Sequence, residues 1–230
     1  MTRVLKVQHF DSEGRENLPY VIKNVKNYLR VLQTGGTTNL PKLVFLTGQG
    51  EGPMIAYNQL SGLNVAIIAV TFPRGFHIRI NEKEVYYPQI SERVKKFFAG
   101  VEIPIITGRL PFDAMDGADS HNREMELLRS AFALFGGSMP LAIQAVLQAT
   151  DNGLVEAGEQ VIAVTSDTAV LITASTTEHF LSKTCGMMVN EIICKPRIFT
   201  IARRSQYLEL RRESSETRFA SPEIQGPEQD

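Results

Sequence analysis

Four runs of this sequence are short, β-branched and almost wholly apolar: Lys42 to Leu46, Val65 to Val70, Ile103 to Ile106 and Val161 to Val164. A strand with one wet face alternates polar and apolar residues, whereas continuous apolarity marks strands covered on both faces, as in a buried parallel sheet. Parallel neighbours need crossover segments, usually helices, and helix-like stretches do separate these runs. The pattern predicts an α/β fold, a three-layer α/β/α sandwich around a mostly parallel sheet.

The first helix is expected from Leu18 to Leu32, where Val21, Val25, Leu29 and Leu32 form one stripe, Asn17 stands at the cap and Gly35-Gly36 end it. Pro53 to Leu60 and Ile90 to Phe98 follow, stopped at Ser61-Gly62 and Gly100. Arg123 to Phe135 and Met139 to Thr150 read as a helical hairpin through Gly136-Gly137, with Ser138 as cap and Pro140 in the first turn. Beyond Gly158 the pattern becomes strand-like at Val161 to Thr165, Ala169 to Ala174 and Met187 to Cys194, with a short helix expected from Glu178 to Lys183, so the later sheet should be mixed. Residues 1–202 form the expected domain. The charged remainder, 203–230, has little apolar periodicity and is expected to be a disordered tail.

Composition narrows the function classes. A net charge of −1 supplies no long-range field for nucleic acid or an anionic membrane, which points to a small-molecule or protein partner. The first twenty residues contain no continuous apolar stretch of the signal-peptide kind and no segment reads as a membrane span, so the expectation is cytoplasmic. Cys185 and Cys194 lack Cys or His partners at metal-ligand spacing and are expected to be buried thiols.

The strand runs end alike, in Thr47-Gly48, Thr71-Phe72, Thr107-Gly108 and Thr165-Ser166. In an open parallel sheet, ligands bind outside the carboxyl ends of the strands, here an edge of hydroxyls and glycine backbone. The loop TGQGEG, Thr47 to Gly52, then leads into Pro53, so the amides of Gln49, Gly50, Glu51 and Gly52 are placed to face an anion with a helix dipole behind them. It is not a P-loop, because Pro53 and Met54 stand where Lys and Ser or Thr belong, and Gly48, Gly50 and Gly52 miss the dinucleotide spacing. Glu51 favours the helix start and repels phosphate. Two readings stand: a phosphate cradle, or a tight turn with a well-placed acid.

Further motifs place this chain beside a known family. LVFLTGQGEGPMIAYNQLSGLNVAIIAVT, Leu43 to Thr71, resembles the first strand-loop-helix-strand unit of the pyruvate kinase C-terminal domain, whose loop reads T-x-S-G-x-S/T and whose second strand ends P-I-I-A-V-T. Thr47 and Gly50 match that loop. The wider order is similar to a group of stand-alone proteins built on that domain, found chiefly in archaea and bacteria. Their F-x-x-P-G-x-E-N-T corresponds to Phe10 to Asn17, their V-T-H-x-x-G-F to Val70 to Phe76, and their A-D-x-G-L-I to Thr150 to Val155. Their D-T-A-L-V-L-T strand corresponds to Asp167 to Thr173, and their E-V-I-A-M-P-R to Glu191 to Arg197. The resemblance spans about residues 10–200.

The resemblance implies a pyruvate kinase C-terminal-like fold and a phosphate-bearing ligand at the strand ends: flavin mononucleotide (FMN) in stand-alone relatives, a sugar bisphosphate in pyruvate kinase itself. Departures bear on this. The loop hydroxyl positions hold Gln49 and Gly52, and the family's histidines are replaced by Phe72 and Gly108. That leaves backbone amides to carry an anion and no evident general acid or base. Arg74 and Arg109, each just beyond a strand end, are candidates to clamp phosphate oxygens or are solvated loop residues. Phe72 and Phe76, flanking Gly75, are placed either to stack on a flat ring or simply to pack. The remaining lining is expected from Thr71, Thr107, Thr165, Asp167 and Thr168.

Asp113 to His121, DAMDGADSH, gathers carboxylates and a histidine but lacks the ligand ladder of a calcium loop; a solvated loop capping the next helix is the alternative, and no metal ligand is assigned. There is no G-x-S-x-G elbow and no cysteine–histidine pair near in sequence. His9, His77 and His179 fall in flanking or helical segments. The sequence therefore predicts binding of a phosphorylated small molecule with no assigned reaction. Pyruvate kinase activity is not expected, because these residues leave no room for the catalytic barrel that precedes the domain in that enzyme, and a homo-oligomer is expected from the parent domain's role in subunit contacts. A regulatory or assembly module with a degenerate pocket is the rival.

Overall fold

The computed structural model describes residues 6–79, 85–112 and 123–199, which belong to one contact unit ending at Phe199. Both the 113–121 segment and the 203–230 tail lie outside the described residues. The chain begins with β1 (Gln8–Ser12), a 3-10 turn (Arg15–Asn17), α1 (Leu18–Thr34), β2 (Lys42–Leu46), α2 (Glu51–Gln59) and β3 (Ile67–Thr71). The two-residue strands β4 (Ile78–Arg79) and β5 (Val85–Tyr86) pair before α3 (Glu92–Gly100) and β6 (Ile105–Thr107). Then come α4 (Arg123–Ala133), α5 (Met139–Asp151), β7 (Gln160–Val164), β8 (Ala169–Thr173) and β9 (Met188–Ile198).

Every apolar run anticipated above lies in one seven-stranded sheet of order β1-β9-β8-β7-β2-β3-β6. The sheet is mixed: β8 runs antiparallel to both neighbours, while all other pairings are parallel. The hairpin between β7 and β8 is closed by Thr165 N donating to Thr168 O at 2.9 Å.

Alternation along the strands divides the apolar residues between two cores. Leu43, Phe45, Ile67 and Ala69 face α1, α2 and α3; Val44, Ile68 and Val70 face α4 and α5. Helices therefore cover both faces, which is why these strands read as continuous apolar runs. No described helix is long and apolar enough to cross a membrane.

Several local expectations are corrected. Neither Asn17 nor Ser138 makes a side-chain cap; Asn17 Nδ2 instead donates to Ser12 O at 2.8 Å. The segment from Glu178 to Lys183 makes turns rather than a helix. The β1 strand and the β4-β5 pair carry too little apolar signal to be seen in the sequence. Cys194 is buried as expected, but Cys185 is exposed.

Candidate functional site

The winding of the sheet singles out one place. From β2 the chain moves outward to β3 and β6 with α2 and α3 on one face, then returns along α4 and α5 on the other face to place β7 beside β2. Strand order reverses between β2 and β7, and such switch points leave an open crevice at the carboxyl ends. A crevice of about 260 Å³ lies there, lined by Thr47, Gly48, Gln49, Glu51 and Gly52 after β2, by Thr165 and Ser166 after β7, and by Arg15, Phe72, Tyr86, Ser138 and Leu141.

Two helix starts converge on it. In the first turn of α2 the amides of Glu51 and Gly52 have no intrahelical acceptor, Pro53 has no N–H, and Met54 N is the first to donate, to Gly50 O at 3.2 Å. In α5, Met139 N donates to Gly136 O at 2.9 Å and Ala142 N to Ser138 O at 3.0 Å, while Pro140 has no N–H; this leaves the amide of Leu141 at the crevice.

The glycines of TGQGEG have packing reasons of their own. A β-carbon at Gly48 would lie 2.8 Å from the Tyr86 hydroxyl, one at Gly50 2.7 Å from Val94 Cγ1, and one at Gly52 2.8 Å from Phe45 Cδ1. Gly50 also adopts a left-handed φ of 88°, and its amide is taken by the buried Thr47 Oγ1 at 2.9 Å. Gly50 thus faces α3 rather than the crevice, and the amide run narrows to its neighbours.

Among the described residues, the cation that reaches this crevice is Arg15, which no local pattern in the sequence flagged. Its Nε donates to Glu51 Oε2 at 2.6 Å and its Nη2 to Gln49 Oε1 at 3.3 Å. The hydrogen bond to Glu51 raises the guanidinium pKa above its ordinary value, against the smaller effect of burial. Arg15 is held in place from behind. Asp167, 1% exposed, accepts from Gly14 N through Oδ2 at 3.3 Å and from Thr168 Oγ1 through Oδ1 at 2.9 Å. Asp167 and Thr168 therefore anchor the segment carrying Arg15 instead of lining the crevice.

Other expected residues fall elsewhere. Thr71, Arg74 and Thr107 line a second crevice, of about 530 Å³, between the ends of β3 and β6 and the start of α3; Phe72 borders both. Phe72 and Phe76 stack on one another at 4.7 Å with ring planes 6° apart, so each gives one face to the other. Gly75 is exposed with φ 84°, and Arg109 is exposed, with its carbonyl accepting from Gln148 Nε2 at 3.4 Å; neither they nor Phe76 line either crevice.

Chemically, the first crevice offers amides, hydroxyls and one ion-paired cation. Among the described residues no histidine lines it, and the one carboxylate, Glu51, is bound to Arg15. That set suits binding of an oxyanion more than proton transfer. Among the described residues no group of three His, Cys, Asp or Glu is placed to hold a metal ion. The chain matches no protein-family model.

Proposed function

We propose that this chain binds a phosphate-bearing small molecule in the crevice between β2 and β7. The observation carrying this reading is the convergence of two helix first turns on one switch-point crevice. Helix starts favour negative charge through unpaired amides and the dipole. The phosphate is assigned to the amides of Glu51, Gly52 and Leu141, with Arg15 turning from Glu51 to a phosphate oxygen.

The motif order from Phe10 to Arg197 supports a finer reading, a stand-alone pyruvate kinase C-terminal-like domain, with FMN as first ligand and a sugar phosphate as second. At about 260 Å³ the crevice is below the roughly 300–1,000 Å³ common for ligand pockets, so it takes the phosphate end. A flavin ring would extend over Phe72 and Tyr86. The test is calorimetric titration of the purified chain with FMN and with sugar phosphates, beside its absorbance spectrum as isolated. Saturable binding weakened by Arg15→Gln supports the proposal; no saturable binding of any of them at millimolar concentration rejects it.

A second reading has its own support: Gly48, Gly50 and Gly52 are each required by packing, and Arg15 is already neutralised by Glu51. On that reading the crevice is degenerate and the domain acts through protein contacts. Absence of binding together with self-association or a captured protein partner favours it.

A further inference from the structure

The second crevice has chemistry that the first does not explain. Thr71 is 4% exposed, forms part of its wall, and has a hydroxyl with no hydrogen-bond partner among the described residues. A buried hydroxyl without a partner is costly, and the sequence offered an easy escape in valine. The same crevice meets the first turn of α3, nine residues long, where Ser91 Oγ accepts from Val94 N at a long 3.4 Å and the amides of Glu92 and Arg93 have no intrahelical acceptor. Lys95, one turn on, is bound by Glu92 at 2.7 Å; Arg74 enters from the loop after β3 and is exposed. Among the described residues, the lining carries two cations, Arg74 and Lys95, against one carboxylate, Glu92.

We propose that this crevice is an oxyanion site in its own right, taking a phosphate or carboxylate group on the α3 amides, Lys95 and Arg74, with the Thr71 hydroxyl as the buried donor. The site stands apart from the one between β2 and β7, sharing with it only Phe72 among the described residues. Its space, about 530 Å³, is far more than a single water needs, and the charge balance of its described lining favours an anion over a neutral guest.

The experiment titrates the full chain with inorganic phosphate and, separately, with succinate, reading nitrogen-15 amide shifts and calorimetric heats. Saturable shifts at Glu92, Arg93 and Lys95 with either probe are expected, and which probe binds tighter identifies the oxyanion. Lys95→Gln should weaken that binding about tenfold while leaving shifts at Glu51 and Gly52 unchanged. Arg15→Gln should do the reverse, so that failure at one crevice is distinguishable from failure at the other. Thr71→Val supplies the sharper test. It should weaken binding at α3 and yet leave the probe-free melting temperature unchanged or higher, because it removes an unpaired hydroxyl at nearly constant volume. The proposal is overturned if neither probe shifts the α3 amides, or if Thr71→Val lowers stability and leaves affinity intact.

Discussion

Arg15 and Glu51 are joined across 36 positions of sequence by a hydrogen bond of 2.6 Å, tying the segment after β1 to the first turn of α2. Their side chains are 53% and 46% exposed, so the pair contributes little to stability, under about 1 kcal/mol once solvent screening is counted. Its significance under the proposed function is electrostatic: Glu51 occupies the cation that an incoming anion would need. Glu51→Gln should therefore tighten phosphate-ligand binding several-fold, and Arg15→Gln should weaken it about tenfold, with small changes in melting temperature for both. Calorimetric titration of both variants checks the signs; equal affinities would leave the pair a purely structural tie.

Gly52 and Gly50 are governed by packing. Alanine at Gly52 drives a methyl group against Phe45, and overpacking of this kind costs about 1–3 kcal/mol. Alanine at Gly50 adds a left-handed φ, worth about another 1–2 kcal/mol, to a clash with Val94. Gly100, the last residue of α3, has open space around its missing side chain, and Gly100→Ala should stabilise by about 0.4–1 kcal/mol. Urea unfolding of the three variants should give losses for the first two and a gain for the third.

Thr47 shows why a loop hydroxyl need not be a ligand. Its Oγ1 accepts from the Gly50 amide inside the fold, so Thr47→Val should cost about 1–3 kcal/mol by leaving that amide unsatisfied, while Thr47→Ser should retain most of the stability. Thermal unfolding of both variants decides. Equal stability would mean that the Gly50 amide finds another acceptor.

The central sheet was readable because strands covered on both faces have a one-dimensional signature: Leu43 and Val44 face opposite cores, yet both are apolar. Edge strand β1 was not, since in QHFDS only Phe10 turns inward and its partner β9 lies at the far end of the domain. With β1 hidden, nothing in the sequence could bring Arg15 to the β2 loop or show Asp167 anchoring Gly14. The glycines of TGQGEG were legible as a backbone constraint but not as to cause, because a cradle and a close helix–strand contact require the same residue. The cause is fixed by Val94, Phe98, Phe45 and Tyr86, which arrive from elsewhere in the chain. The similar strand endings suggested one site, whereas Thr47 and Thr165 line one crevice and Thr71 and Thr107 another.

Cys194 makes the fold sensitive to alkali. Burial pushes its thiol up to about 12 from an ordinary value of 9.0, mainly because the thiolate cannot be solvated there. In the unfolded chain the thiol ionises near its ordinary value, so the stability contribution is complete below about pH 9 and is lost as pH rises toward 12. Each pH unit in that window should cost about 1.4 kcal/mol. Cys194→Ala removes this dependence, so the difference in unfolding free energy between wild type and variant should shrink by about that amount from pH 10 to pH 11. At pH 8 a thiol reagent should label exposed Cys185 in the folded protein and reach Cys194 only in denaturant. Parallel pH profiles for the two proteins, or labelling of Cys194 without unfolding, would mean that the thiol is hydrated and that the core around β8 and β9 opens to water.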